Sequence, residues 1–275
     1  MIAPADDRGS ADLDPQERRE AVERESPGAG VTHEAIRREG EKELARAPSA
    51  LAWSGLAAGL SMGLSMAAQA VLRTHLPDEV WRPLVERLGY AVGFLVVILG
   101  SQQLYTENTL TPIVPLMARP SVRMLRRVLV LWGVVLAANL VGTMAFAWAA
   151  ATTGVFAGDV RAAFVDMGRE VLAPGTGATF VRAVAAGWII ALMAWMLPAA
   201  ESARLAVIVI MTWLLAACDL QHVVAGSAEV FYLVVQGEIS FATYAVRWLP
   251  VVAVGNTLGG VLLVAAVNHA QVKAG

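Results

Sequence analysis

Two long apolar stretches of this chain are each interrupted by polar residues, and the interruptions fall at matching places of an internal repeat. The first stretch runs from about Leu88 to Met117 and is broken over residues 101–109 (Ser-Gln-Gln-Leu-Tyr-Thr-Glu-Asn-Thr), with Pro112 and Pro115 beyond. The second runs from about Leu205 to Val235 and is broken at Asp219-Leu220-Gln221-His222, with Gly226, Ser227 and Glu229 following. Each is too long for a single membrane crossing of ~20 residues. Irregular backbone and ionisable groups are tolerated at that depth only inside protein or along a wet cavity. Paired broken helices in two halves of a chain therefore point to a transport site.

The rest of the sequence supports a membrane setting. Hydrophobic residues make up 57% of the 275 and charged residues only 16%. The charge is concentrated at the start: residues 1–46 hold 12 of the 23 acids and 8 of the 21 bases. Residues 1–30 read as a disordered tail in which Asp14-Pro15-Gln16-Glu17 can open a short helix. Residues 32–46 read as a charged helix at the membrane surface. The chain thus divides into a charged cytoplasmic segment, 1–46, and a channel-like unit, 47–270. The acidic, polar start is unlike a signal peptide. The single cysteine, Cys218, permits no intrachain disulfide, and no Cys/His spacing marks a metal site.

Six apolar segments are expected: about 51–72, 88–117 (broken), 128–151, 180–197, 205–235 (broken) and 245–267. An even number places both termini on one side. Arg119, Arg123, Arg126 and Arg127 follow the first broken segment with no acid among them, and Arg37, Arg38, Lys42 and Arg46 precede the first span. By the positive-inside rule these flanks, and both termini, are expected to be cytoplasmic; the membrane expected is a bacterial-type inner (plasma) membrane. Val134–Gly142 aligns with Val251–Gly259 at an offset of 117, with four of nine residues identical. The same offset carries Thr106 onto Val223, beside His222. Three segments per copy is an odd number, so the second copy is inverted. The fold class expected is all-α and integral to the membrane, with two inverted three-helix repeats. Gly55, Gly59 and Gly63 form a small-residue stripe suited to close helix contact.

The candidate site follows from the breaks. His222 is the only histidine within a span, and an imidazole ordinarily titrates near neutrality. Thr106, Asn108 and Thr109 sit where a broken helix exposes unpaired backbone groups. Glu107, Asp219 and Glu229 are ionisable within the apolar segments, where each needs a partner or water. Asn139 and Asn256, the repeated asparagines, are expected to hydrogen-bond the breaks and hold their shape. No protease, hydrolase or P-loop motif is present, and no soluble segment is large enough for a catalytic domain, so no enzyme is expected.

These residues resemble a known family. Leu104-Tyr105-Thr106 is similar to the Leu-Phe-Thr loop of formate/nitrite transporters, and Gln221-His222 to that family's Glu-His. Residues 179–187 resemble the start of its fourth span. The resemblance covers roughly residues 48–268. It implies an aquaporin-like homopentamer with one pore per subunit. It further implies a small weak-acid anion (formate, nitrite or similar) that takes up a proton near a central histidine, with no cofactor and no nucleic-acid partner. By resemblance the substrate path comprises His222, Thr106, Asn108, Glu107 and Gln221, and the constrictions Leu104, Tyr105 and Leu215. The sequence departs from the family pattern at four points, one of them an Asn within the fourth span that is Ala191 here. At the other three, the vestibule lysine before the fourth span is matched by Gly175, the family Glu by Gln221, and a neutral residue by Glu107. Those departures keep two alternatives open, a channel for a neutral or cationic solute such as ammonia or water, and a non-conducting scaffold or sensor.

Overall fold

The computed structural model describes Gln16 and residues 28–274. The expected tail and its short opening helix fall, apart from Gln16 and residues 28–30, outside the described residues. Every regular element among the described residues is helical. In chain order the principal helices are α1 (Ala29–Ala45), α2 (Pro48–His75), α3 (Ala91–Leu99), α4 (Ile113–Ala118), α5 (Val122–Thr152), α6 (Gly158–Leu172), α7 (Thr176–Met196), α8 (Arg204–Ala217), α9 (Val223–Val235) and α10 (Phe241–Lys273). Helices α2, α5, α10 and the α7 segment Thr176–Ala199 are long and apolar enough to cross a bilayer. Helices α3 with α4, and α8 with α9, are the two interrupted segments.

Helix ends coincide with local sequence signals. Pro48 opens α2 in the first turn, where a missing N–H is harmless. Ser121 caps α5 by accepting from the Met124 N–H. In α10, π-helical turns occupy Tyr244–Trp248 and Val261–Ala266.

Packing follows the repeat. Helix α2 lies against α5, and α7 against α10, more extensively than any other pairs. Both contacts are close enough to require glycine. A Cβ on Gly59 would overlap the Asn139 carbonyl oxygen, and one on Gly187 would overlap that of Asn256. The Gly55–Gly59–Gly63 stripe is therefore filled within the chain, by α5 residues from Val135 to Phe146.

One element differs from the sequence reading. The stretch between the expected apolar segments 128–151 and 180–197, where no element is expected, contains helix α6. Its Val160, Ala163, Phe164, Met167 and Gly168 are buried at helical spacing, against α9 and α2. Asp159, Arg161, Asp166 and Arg169 on the remaining surface hide this short amphipathic period from a search for spans.

Helix α1 sits beneath the first interrupted segment. Its Ile36 is buried with Leu110, Ile113 and Val114, and Gly40 meets the Thr111 carbonyl. Glu41 pairs with Arg119 at 3.2 Å. His33 Nε2 lies 3.0 Å from His269 Nδ1, which ties α1 to the end of α10. Burial, and then the neighbouring His269, hold the His33 pKa below its ordinary 6.5. A histidine whose folded pKa is lowered stabilises the docked state above the undocked pKa, and the contribution is lost as pH falls below that value. Limited proteolysis is accordingly expected to cut the α1 segment faster at about pH 5 than at about pH 8, with His33→Phe abolishing the difference. Equal rates in the wild type at both pH values would refute it.

Candidate functional site

The two breaks are built alike, residue for residue. Each starts with a non-glycine residue in the left-handed region, Ser101 at φ 52° and Asp219 at φ 49°. The next amide turns back to the preceding helix, Gln102 to the Val97 carbonyl and Leu220 to the Leu215 carbonyl, each at 2.9–3.0 Å. Left-handed backbone is uncommon for residues with a Cβ and persists where the surroundings fix it. Here an asparagine does so in each half. Asn139 Nδ2 donates to the carbonyls of Gly55 (2.7 Å) and Gln103 (2.9 Å), and Oδ1 accepts from the Tyr105 N–H (2.9 Å). Asn256 Nδ2 donates to the carbonyls of Ala183 (2.7 Å) and Gln221 (2.8 Å), and Oδ1 accepts from the Val223 N–H (2.8 Å). All available amide hydrogens and the acceptor oxygen of each side chain are thus engaged on backbone. Within the breaks the offset is 118, from Ser101 to Asp219 and from Gln103 to Gln221, one more than between the asparagines. Tyr105, not Thr106, is the counterpart of Val223.

The breaks meet at His222 and Thr106. His222 Nε2 and Thr106 Oγ1 are 2.7 Å apart, and both residues are buried. His222 is also the N-cap of α9: its Nδ1 accepts from the Ala225 N–H at 3.1 Å. A backbone N–H can only donate, so Nδ1 carries a lone pair and no proton. The neutral ring then holds its proton on Nε2 and presents it to Thr106 Oγ1. Phe94 packs edge-on against the imidazole with centroids 5.2 Å apart.

Two cavities approach this contact from opposite ends. The larger, about 1050 Å³, is lined by His222, Gln221, Gly226 and Glu229 together with Arg73, Arg87 and Arg182. The smaller, about 60 Å³, lies toward α1 and is lined by Glu39, Glu43, Leu104, Glu107, Asn108 and Arg204. Leu104 and Glu107 thus face one cavity while His222 faces the other, and Thr106 stands between.

The remaining candidates separate. Asn108 donates to Gln103 Oε1 at 2.9 Å, its carbonyl accepts from Trp132, and it does not reach His222. Gln221 is held by both ends of its amide, Nε2 on the Val171 carbonyl and Oε1 on Trp248 Nε1, each at 3.2 Å. Tyr105 turns its hydroxyl to Thr257 at 2.7 Å. Leu215 is buried in the core with Leu104 and lines neither of these cavities. Gly175, the N-cap of α7, offers no charge.

Sequence reasoning missed the charged wall of the larger cavity. Arg73 pairs with Glu86 at 2.7 Å and Glu170 at 2.8 Å, and Arg87 with Asp219 at 2.8 Å. Arg182 reaches only the Asp219 carbonyl, at 3.5 Å, and forms no ion pair among the described residues. These residues come from distant parts of the chain. Only the spacing of Arg182, one helical turn past Ala178 on the cavity side of α7, was available as a signal.

Comparison with known proteins is consistent across sequence and structure. A profile described as "Formate/nitrite transporter" matches residues 30–270. The chain is 43% identical over 246 residues to "Inner membrane protein YfdC" of Escherichia coli (strain K12), covering 89% of this chain and 79% of that protein. Its fold is similar to that of an "FNT family ion channel", with a TM-score of 0.74 at 19% identity, covering 87% of this chain and 98% of the other. It is also similar to a "Pentameric formate channel with formate bound", with a TM-score of 0.67 at 16% identity, covering 84% and 100%.

Proposed function

The chain belongs to the formate/nitrite transporter family, and from that premise we propose that it conducts a small monovalent weak acid, formate or nitrite, past His222. The observation that carries this reading is the contact between the two breaks. The hydrogen bond from His222, which lines the larger cavity, reaches Thr106, whose chain neighbours Leu104 and Glu107 line the smaller one.

Its chemistry suits a neutral acid. The Nε2–H of His222 donates to the carbonyl oxygen of the solute, and the solute hydroxyl donates to Thr106 Oγ1. The solute replaces the existing hydrogen bond with two of its own, so the buried groups stay satisfied during passage. Phe94, Leu104 and the core around Leu215 exclude ions from this point, because an unpaired charge in apolar surroundings is strongly disfavoured. Arg182, the arginine of the larger cavity without an ion pair, draws the anion in, a task Gly175 cannot perform. Gln221 and Asn108 serve the shape of the breaks. Glu107, with Glu39 and Glu43, makes the small cavity acidic and favours the neutral form there.

Residues 47–270 are the conducting unit, and 1–46 cover its α1-side mouth. That mouth faces the cytoplasm of a cell whose inner membrane holds the protein, and five copies assemble with one path each.

The test is stopped-flow uptake of formate, nitrite and ammonia into liposomes, from about pH 5 to about pH 8. Formate or nitrite flux that rises as pH falls is expected. Ammonia flux without either acid, or no flux at all, would overturn the reading.

A further inference from the structure

Weak-acid passage needs a proton for the entering anion, and the geometry of His222 makes it a poor source. Its Nδ1 lone pair holds the Ala225 N–H, and surrendering the Nε2 proton would leave an imidazolate. Another group must supply the proton. His222, Gly226 and Glu229 are spaced by four and then three residues, so they share one face of α9, and all three line the larger cavity.

Glu229 is 6% exposed and takes part in no hydrogen bond or ion pair among the described residues. Of the five arginines of that cavity four are already paired, and the fifth, Arg182, lies against the Asp219 carbonyl at 3.5 Å rather than on Glu229. Arg73 holds Glu86 and Glu170, and Arg87 holds Glu170 and Asp219. Arg82 holds Asp78 and Glu86, while Arg169 holds Asp166 and Glu238. Tyr90, from the segment before α3, also lines the cavity. Helix α5, which packs along α9, has no titratable side chain from Val128 to Thr152. Tyr244 of α10 spends its hydroxyl on Ser227 at 2.8 Å. An intramembrane carboxyl with no partner, facing a wet cavity, is a functional group by default.

We propose that Glu229 is the proton donor to the anion in the larger cavity, an assignment that rests on the weak-acid reading above. The O–H bond of the Glu229 carboxyl breaks and its electron pair stays on the carboxylate. The proton forms a new O–H bond on the anion, giving the neutral acid that moves on to His222 and Thr106. Water in the cavity returns a proton to Glu229. Flux in the opposite direction runs the same exchange backwards.

Formate uptake into liposomes by wild type, Glu229→Gln and Glu229→Asp tests it. At about pH 7 Glu229→Gln is expected to lose at least about tenfold in flux, and at about pH 5, where free acid is abundant, less than about twofold. Glu229→Asp, which keeps the acid, is expected to follow the wild type. Superimposable profiles for wild type and Glu229→Gln would overturn the assignment, as would an equal loss at both pH values, which marks a structural role. A wild type that passes no weak acid overturns the weak-acid reading and the proton step with it. Normal wild-type flux with an unaltered Glu229→Gln profile overturns only Glu229. If the Gln variant does not assemble, infrared difference spectra of the wild type decide. Formate addition is expected to diminish a carboxylic-acid C=O band, and no formate-dependent change would overturn the proposal.

Discussion

Replacing His222 with asparagine is expected to lower formate flux at least about tenfold across the pH range while leaving the fold intact, since the loss of one hydrogen bond of about 1.5 kcal/mol at the barrier corresponds to that factor. The substitution separates two jobs of one ring. Asparagine Oδ1 can take the place of Nδ1 and accept from the Ala225 N–H, so α9 keeps its N-cap. The shorter side chain cannot extend a donor to Thr106 as Nε2 does at 2.7 Å. His222→Phe loses both jobs and leaves the Ala225 amide without its cap, so it should unfold more readily as well as conduct less. Flux in liposomes together with thermal unfolding in detergent checks the pair. An asparagine variant conducting like the wild type would remove His222 from the path. An asparagine variant as unstable as the phenylalanine one would show that the cap depends on the ring.

The sequence exposes the breaks because polar residues inside an apolar run carry a large penalty and so stand out. His222 and Thr106 are legible for that reason, although 116 residues separate them and only the fold brings them together. The family assignment, expected from Leu104-Tyr105-Thr106 and Gln221-His222, is now shown. Helix α6 was hidden by its short amphipathic period. The wall of the larger cavity was hidden for a different reason. Arg73 and Arg87 look, in sequence, like the balanced charges of a loop, and only their convergence with Glu170 and Asp219 distinguishes wall from loop. Glu107 shows the limit of neighbourhood as a guide. It adjoins Thr106 in the chain yet faces the cavity next to α1, away from His222. The 117-residue offset read from Asn139 and Asn256 slips by one inside the breaks, because the second half has one residue fewer between break and asparagine.

Those asparagines predict a large loss of stability. Asn256→Leu would strand the Gln221 carbonyl and the Val223 N–H, two buried backbone groups of the break, and would take a second hydrogen bond from the Ala183 carbonyl of α7. At about 1–3 kcal/mol for each of the two unsatisfied groups, the variant is expected to be destabilised by about 2–6 kcal/mol, a large share of the stability of any native fold. Leucine also replaces the planar amide with two bulkier methyl groups, and Gly187, pressed against the Asn256 backbone, leaves no room for retreat. Asn256→Asp is the sharper control. Its carboxylate can still accept from the Val223 N–H, but it would face two carbonyl oxygens with no hydrogen to offer, so it should be no better than leucine at neutral pH. Protonation restores one donor, and its stability should therefore recover as pH falls. Unfolding in mixed micelles, followed across pH, checks the direction. Wild-type stability in Asn256→Leu would mean that the break holds its shape without the asparagine, and that the matching bonds of Asn139 are likewise ornaments of a conformation fixed elsewhere.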